Sequence, residues 1–236
     1  DFEVWNLAAA GRIVTGRGKG VRKAYGKDAD PMLFDENTNS CALVMRYGPF
    51  TYYNGGDICG KATAKGTKLD IESQIADLCG QMTVIKTDHH GWKDSTNPYF
   101  LWKTRPQVVL IPAYGNTHPW IETLRRLSDT HYGIKGIFAT TASAEPICKE
   151  EMKHITAIGH IVVRVYEGGR NYQVFVLDRK DNDYKKITTE DFINPIHYID
   201  KYYSFPKNYI LFIEIEPLTP FFLDKVSLSP KNGTSY

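Results

Sequence analysis

Between residues 40 and 178 the apolar positions alternate between two spacings, one of every second residue and one of about every 3.6. Ala42–Tyr47 (ALVMRY) and Phe50–Asn54 (FTYYN) read as strands joined by a Gly48-Pro49 turn, and Gly55-Gly56-Asp57 breaks the second. Over residues 70–79 the apolar residues Ile71, Ile75, Leu78 and Cys79 form the stripe of an amphipathic helix. Residues 82–86 (MTVIK) are strand-like and run straight into Asp88-His89-His90-Gly91. A short helix follows at 98–103, and the near-continuous apolar run 107–111 (QVVLI) predicts a buried strand. A helix is expected over 119–127, with Asn116 or Thr117 as its cap and Pro119 in its first turn. Residues 136–140 predict a strand and 145–155 a helix, and 160–166 with 172–177 predict a hairpin across Glu167-Gly168-Gly169-Arg170.

Strand and helix thus alternate from residue 50 to 140, and antiparallel strands close the series, which defines an α/β fold with a mixed sheet and flanking helices. The flanks differ in character. Residues 11–27 hold six Lys or Arg, five Gly and no acid, so 1–36 reads as a basic, Gly-rich leader or loop. It is either a solvated surface loop or a binder of phosphate or nucleic acid, and it lacks P-loop spacing. Beyond residue 178, Asp, Lys, Asn and Tyr dominate, and Pro195, Pro206, Pro217 and Pro220 interrupt long elements. Residues 179–236 are read as an extension packed on the core, with one strand at Tyr209–Ile215.

Composition narrows the class without naming it. The 236 residues are 42% hydrophobic and 24% charged, enough apolar material for a core, and the formal charge of +2 gives no case for a protein that coats nucleic acid. No stretch reaches the roughly 18 apolar residues of a membrane span. Cys41, Cys59, Cys79 and Cys148 form no CxxC pair, which argues against a zinc ribbon or a disulfide scaffold. The tripeptide Asn232-Gly233-Thr234 matches a glycosylation acceptor, a motif short enough to arise by chance.

The candidate chemistry lies in three loops that each follow a predicted strand: 54–57, 88–91 and 116–119. Strands joined through helices run parallel by right-handed crossovers, so all three loops emerge at the carboxyl edge of one sheet, where open α/β sheets bind ligands. That edge collects Asp57, Asp88, His89, His90 and His118. Carboxylate plus imidazole is the ligand set of hydrolytic zinc, manganese or iron sites. On extended backbone His89 and His90 would point in opposite directions, so one would reach a metal while the other supports it or touches substrate. His131, His154, His160 and His197 show no ligand spacing and read as structural or surface residues.

The run Asn39-Ser40-Cys41-Ala42-Leu43-Val44, then Tyr47-Gly48, Gly55-Gly56-Asp57, Val84-Ile85-Lys86 before His89-His90-Gly91, Pro106 and His118-Pro119 resembles the metallo-β-lactamase fold. Within it, the pattern is similar to the hydrolase branch related to the competence DNA-uptake protein ComEC. The resemblance covers roughly residues 37–178 and implies an αββα sandwich, of which this chain would be the C-terminal half. It implies that Asp57 and His90 bind metal, that His118 lies beside the site and contacts substrate or the metal-bound group, and that His89 helps to orient the substrate. Gly55 stands where threonine is more usual, and Trp92 where a small residue is common. The family's HxHxDH motif is absent, because no histidine precedes His89, and the chain starts at Asp1. The expectation is therefore a piece of a longer or split protein, whose N-terminal half, in the same precursor or a partner, would supply the other ligands.

The resemblance implies a metal-dependent hydrolase with two zinc ions, or manganese, that activates water on a phosphodiester or nucleic-acid substrate. The competing reading is a non-catalytic module of the same fold, a pseudo-hydrolase that binds a partner. An uncovered half-fold should also expose apolar faces and a sheet edge, so that it aggregates or forms homo-oligomers, and no membrane partner is expected.

Overall fold

Tyr52 and Tyr53 are neighbours in one strand, both are buried, and they face opposite sides of the sheet that contains them. Adjacent strand residues point to opposite faces, and this sheet is covered on both. The computed structural model describes residues 2–26, 36–61, 70–114, 117–142, 148–178, 186–193, 209–215 and 225–230. Nine strands form the main sheet: β1 (Phe2–Ala9), β2 (Arg12–Val14), β3 (Val21–Lys23), β4 (Ala42–Tyr47), β5 (Phe50–Asn54), β6 (Val84–Lys86), β7 (Val108–Ile111), β8 (Gly136–Ala139) and β9 (Ala157–Ile158). Their order is β3-β2-β1-β4-β5-β6-β7-β8-β9, antiparallel from β3 to β5 and parallel from β5 to β9. Helices α1 (Ile71–Cys79), α2 (Pro98–Thr104) and α3 (Ile121–Leu127) make the three crossovers between β5 and β8.

One face of this sheet packs on the helices. Tyr53, Ile85, Val109 and Ile111 meet Ile71, Ile75 and Cys79 of α1, Phe100 and Leu101 of α2, and Leu124 and Leu127 of α3. The other face, with Met45, Tyr47, Phe50, Tyr52, Val84, Val108, Leu110 and Phe138, packs on a second sheet. That sheet is formed by β10 (His160–Val165), β11 (Asn171–Leu177), β12 (Lys186–Ile193), β13 (Tyr209–Ile215) and β14 (Lys225–Pro230), in the order β12-β11-β10-β13-β14. Its inward residues Ile161, Val163, Val165, Tyr172, Val174, Val176 and Ile213 are buried, and each such side chain contributes about 1.5–3 kcal/mol by leaving water. The layers among the described residues are therefore helix, sheet, sheet. None of the described helices is long and apolar enough to cross a membrane.

Several expectations are corrected. Within residues 1–36, read as a leader or loop, three segments are strands: β1 pairs with β4 along its length, and β2 and β3 form a hairpin at the sheet edge, with residues 15–20 as its loop. The physical reason is the burial of Leu7, Ala8 and Ile13 in the helix-side core. The charged residues of the hairpin are partly tied down, with Arg17 paired to Glu3 and Arg22 bonded to Gln74. The helix expected over 145–155 is, within its described part, a single 3₁₀ turn at Glu151–His154. Helix α3 starts at Ile121 rather than Pro119; Asn116 lies outside the described residues, and Thr117 bonds His118 Nδ1 rather than capping. Beyond residue 178 the described segments are strands that share a sheet with β10 and β11.

Candidate functional site

β5, β6 and β7 are parallel neighbours, so the loops after them leave the sheet at one edge, as the crossover argument requires. The loop after β5 is held by small groups. Asn54 Oδ1 accepts from the Gly56 N–H at 3.0 Å, and Ser40 Oγ accepts from the Asp57 N–H at 3.2 Å. Gly56 has φ +62°, and a Cβ there would lie 2.9 Å from Ser40 Cβ, so the turn that presents Asp57 requires glycine.

The loop after β6 departs from the extended form expected of it. His89 (φ 45°, ψ 46°) and His90 (φ 56°, ψ 23°) are both left-handed, and Gly91 continues the turn at φ +77°. Left-handed backbone is uncommon for side-chain-bearing residues and persists where surrounding bonds fix it. Here the His89 N–H donates to Gly56 O at 3.0 Å, the Trp92 N–H to His89 O at 2.8 Å, and the Trp120 N–H to Gly91 O at 3.0 Å. The turn brings the two histidines to one side: their ring centroids stand 6.2 Å apart, and His118 lies 6.4 Å from His89 and 6.1 Å from His90.

His90 Nε2 comes to 3.3 Å from Asp57 Oδ1, while His90 Nδ1 is 2.8 Å from Pro112 O. A carbonyl can only accept, so Nδ1 carries the hydrogen and Nε2 presents its lone pair, or a second proton, to the Asp57 carboxylate. Burial disfavours ionisation of Asp57. The hydrogen bond from His90 and the charges of His90, Lys86 and His89 outweigh it, and hold the Asp57 pKa down at about 2. His118 is shifted below the usual histidine value by burial and then by His90 and His89, which keeps its ring neutral at neutral pH. Its Nε2 is buried and makes no hydrogen bond. His89 stacks on Trp92 at 5.5 Å, and Trp92 also stands 5.3 Å from His118.

Two donors about 2.0–2.1 Å from one tetrahedral ion stand about 3.3 Å apart, so the Asp57–His90 approach fits one edge of a metal coordination shell. Among the described residues no group of three or more His, Cys, Asp or Glu converges as a complete cage. The pair fits an ion and does not by itself enclose it.

Asp88 does not join the cluster. Its side chain turns beneath the loop and is fully buried, accepting from Tyr53 Oη at 3.0 and 3.2 Å and hydrogen-bonded to Glu72. Burial raises the Asp88 pKa to about 7 and pushes Glu72 well above the ordinary carboxyl range, so this carboxyl pair holds a proton between them at neutral pH. Glu72 also accepts from the Thr96 and Asn97 N–H groups ahead of α2.

Sequence reasoning assigned no supporting role to four residues that have one: Ser40 and Lys86, which it named only within the resemblance, and Tyr53 and Glu72. Lys86 is 5% exposed, and its Nζ donates to Gly56 O at 3.0 Å and Thr87 O at 3.3 Å, tying the two loops together from below. A lysine closing an otherwise apolar strand just before the histidines was the available signal.

No protein-family model matches the chain. Over 85 residues, 36% of its length, it is 32% identical to Recombination protein 2 of Haemophilus influenzae, and it spans about a tenth of that protein.

Proposed function

We propose that this chain carries part of the active site of a metal-dependent hydrolase of the metallo-β-lactamase kind, in the branch related to the competence DNA-uptake protein, acting on a phosphodiester or nucleic-acid substrate. The observation that carries the reading is the 3.3 Å approach of Asp57 Oδ1 to His90 Nε2, across the ends of two parallel strands. The similarity of 85 residues to a protein named for recombination supports the choice of branch. Asp57 and His90 would hold the metal, zinc or manganese and two ions in the complete site, which when bound supplies a hydroxide from water at neutral pH and polarises the scissile bond.

The chain's own residues prepare that site. Asp57 is ionised throughout the working pH range, and the Pro112 carbonyl fixes the tautomer and ring plane of His90, as second partners of metal-bound histidines do. His118 contributes a neutral ring whose unbonded Nε2 can take a hydrogen bond from, or give one to, a substrate oxygen. His89, stacked on Trp92, lines the same side and positions the substrate. The remaining ligands come from a segment outside the described residues, in the same polypeptide or in a partner.

The test is the metal content of the natively purified protein beside Asp57→Ala and His90→Ala. One to two equivalents in the unmutated chain, lost in both variants, is the expected result. A metal-free unmutated protein would sink the hydrolase reading and leave a partner-binding module of the same fold.

A further inference from the structure

A cleft of about 470 Å³ lies outside the Asp57–His90 pair, with Lys61, Lys93, Asp94, Glu122 and Arg126 among its lining residues. That volume falls within the range of small-molecule sites, roughly 300–1,000 Å³. Its charges do not cancel. Lys61 is 3.7 Å from Asp94, which accounts for one pair. Lys93 and Arg126 have no carboxylate within 4.0 Å among the described residues, and of the two carboxylates that line the cleft only Glu122 is outside an ion pair.

Arg126 is built in rather than loosely placed. Its Nε donates to Thr96 O at 3.3 Å, and its Nη2 donates to Lys93 O at 2.9 Å, Ser95 O at 2.8 Å and Thr123 Oγ1 at 3.0 Å. These bonds fix the plane of the guanidinium and use one side of its fork. Nη1 has no protein acceptor among the described residues, which leaves its two N–H groups unused. Burial depresses the Arg126 pKa, and the attraction of Glu72, Glu122 and Asp94, none of them in an ion pair with it, only partly offsets that. Lys93 is held from the other side, its Nζ 5.1 Å from the Trp120 ring centre and 5.8 Å from that of Trp92. A rigid, part-buried guanidinium with a free edge, lining one cleft with an ammonium that has no carboxylate partner, is the donor set of a tetrahedral oxyanion.

We infer that this cleft binds a phosphorylated small molecule, its phosphate held by Arg126 Nη1 and Lys93 Nζ and its hydroxyl or N–H groups facing Glu122. The site does not depend on the hydrolase reading, because it uses neither Asp57 nor His90.

The experiment is calorimetric titration of the full chain with inorganic phosphate, with acetate at matched ionic strength as the control. Saturable phosphate binding, absent with acetate and weakened roughly tenfold by Lys93→Gln, is expected. Lys93 is exposed, so that variant should keep its fold, and circular dichroism checks this. Arg126→Lys should weaken binding further, since one ammonium cannot both hold the loop carbonyls and face the ligand. Asp57→Ala and His90→Ala should bind phosphate as the unmutated chain does. Absence of saturable phosphate binding, binding unchanged in Lys93→Gln, or binding abolished by Asp57→Ala would each overturn the inference.

Discussion

Replacing Gly55 with alanine should be far more damaging than a single methyl group suggests. Gly55 lies against the buried Tyr53–Asp88 pair: an added Cβ would stand 2.1 Å from Tyr53 Oη, 2.2 Å from Asp88 Oδ1 and 2.8 Å from Tyr53 Cζ. Ordinary contacts of a Cβ start at 3.4 Å, so both oxygens would have to retreat by over 1 Å. Neither has room. Tyr53 and Asp88 are fully buried, and the Tyr53 ring packs against Phe100 with centroids 4.7 Å apart. Overpacking a core costs about 1–3 kcal/mol. Loss of the Tyr53–Asp88 hydrogen bonds adds about 1.5–3 kcal/mol while the carboxylate carries charge. Gly55→Ala should therefore lose about 2.5–6 kcal/mol, a large share of the roughly 5–15 kcal/mol that holds a domain folded. Gly20→Ala, where nothing lies within 4 Å of the added methyl, is the control and should stay within about 0.5 kcal/mol. Urea unfolding followed by circular dichroism measures both. A Gly55→Ala protein within about 1 kcal/mol of the unmutated chain would show that the Tyr53–Asp88 pair yields readily to an added methyl group.

Two further outcomes follow from the charges around Asp57. Its folded pKa of about 2 lies below the ordinary 3.8, so its ionised form stabilises the fold above pH 3.8 and that contribution is lost as pH falls towards 2. In metal-free protein Asp57→Asn should lack about 2 kcal/mol of this acid-side dependence, and parallel stability curves for the two proteins between pH 4 and 2 would contradict it. Lys86→Met removes a buried cation and the donor to Gly56 O and Thr87 O; it should raise the Asp57 pKa and cost about 1–3 kcal/mol, which carboxyl-carbon NMR titration and thermal melting would register. An unmoved Asp57 titration would remove Lys86 from the electrostatics of the site.

Much of the central fold is legible in the sequence because burial there follows local spacing. Alternation marks β4 and β5 at their observed ends, the Ile71–Ile75–Cys79 stripe marks α1, and the apolar run at 107–111 marks β7. The convergence of Asp57, His89, His90 and His118 follows from parallel connectivity alone, without knowledge of a single side-chain contact. What stays hidden depends on partners distant in sequence. β2 and β3 have only three residues each, and β12 is rich in charge, so pairing rather than composition makes them strands. The left-handed turn at His89-His90 is set by bonds to Gly56 and Trp120, and no local rule assigns that conformation to histidine. Asp88 reads as a site residue from its position, yet Glu72 and Tyr53, 16 and 35 positions away, turn it inward.

Gln107, immediately before β7, accepts from Tyr172 Oη at 2.7 Å and donates to Ile193 O at 3.1 Å, so it clasps the second sheet to the first. Pro112, whose carbonyl steers His90, follows the other end of the same strand. The five steps from Gln107 to Pro112, at about 3.3 Å each, separate the clasp from the candidate site by roughly 16 Å of backbone. Attachment and the candidate site thus occupy opposite ends of one strand. The outer sheet can accumulate substitutions, lengthen its hairpins or change its exposed face while the polar edge of the inner sheet keeps its geometry, so new recognition surfaces can evolve on this scaffold without disturbing its loops of histidine and aspartate.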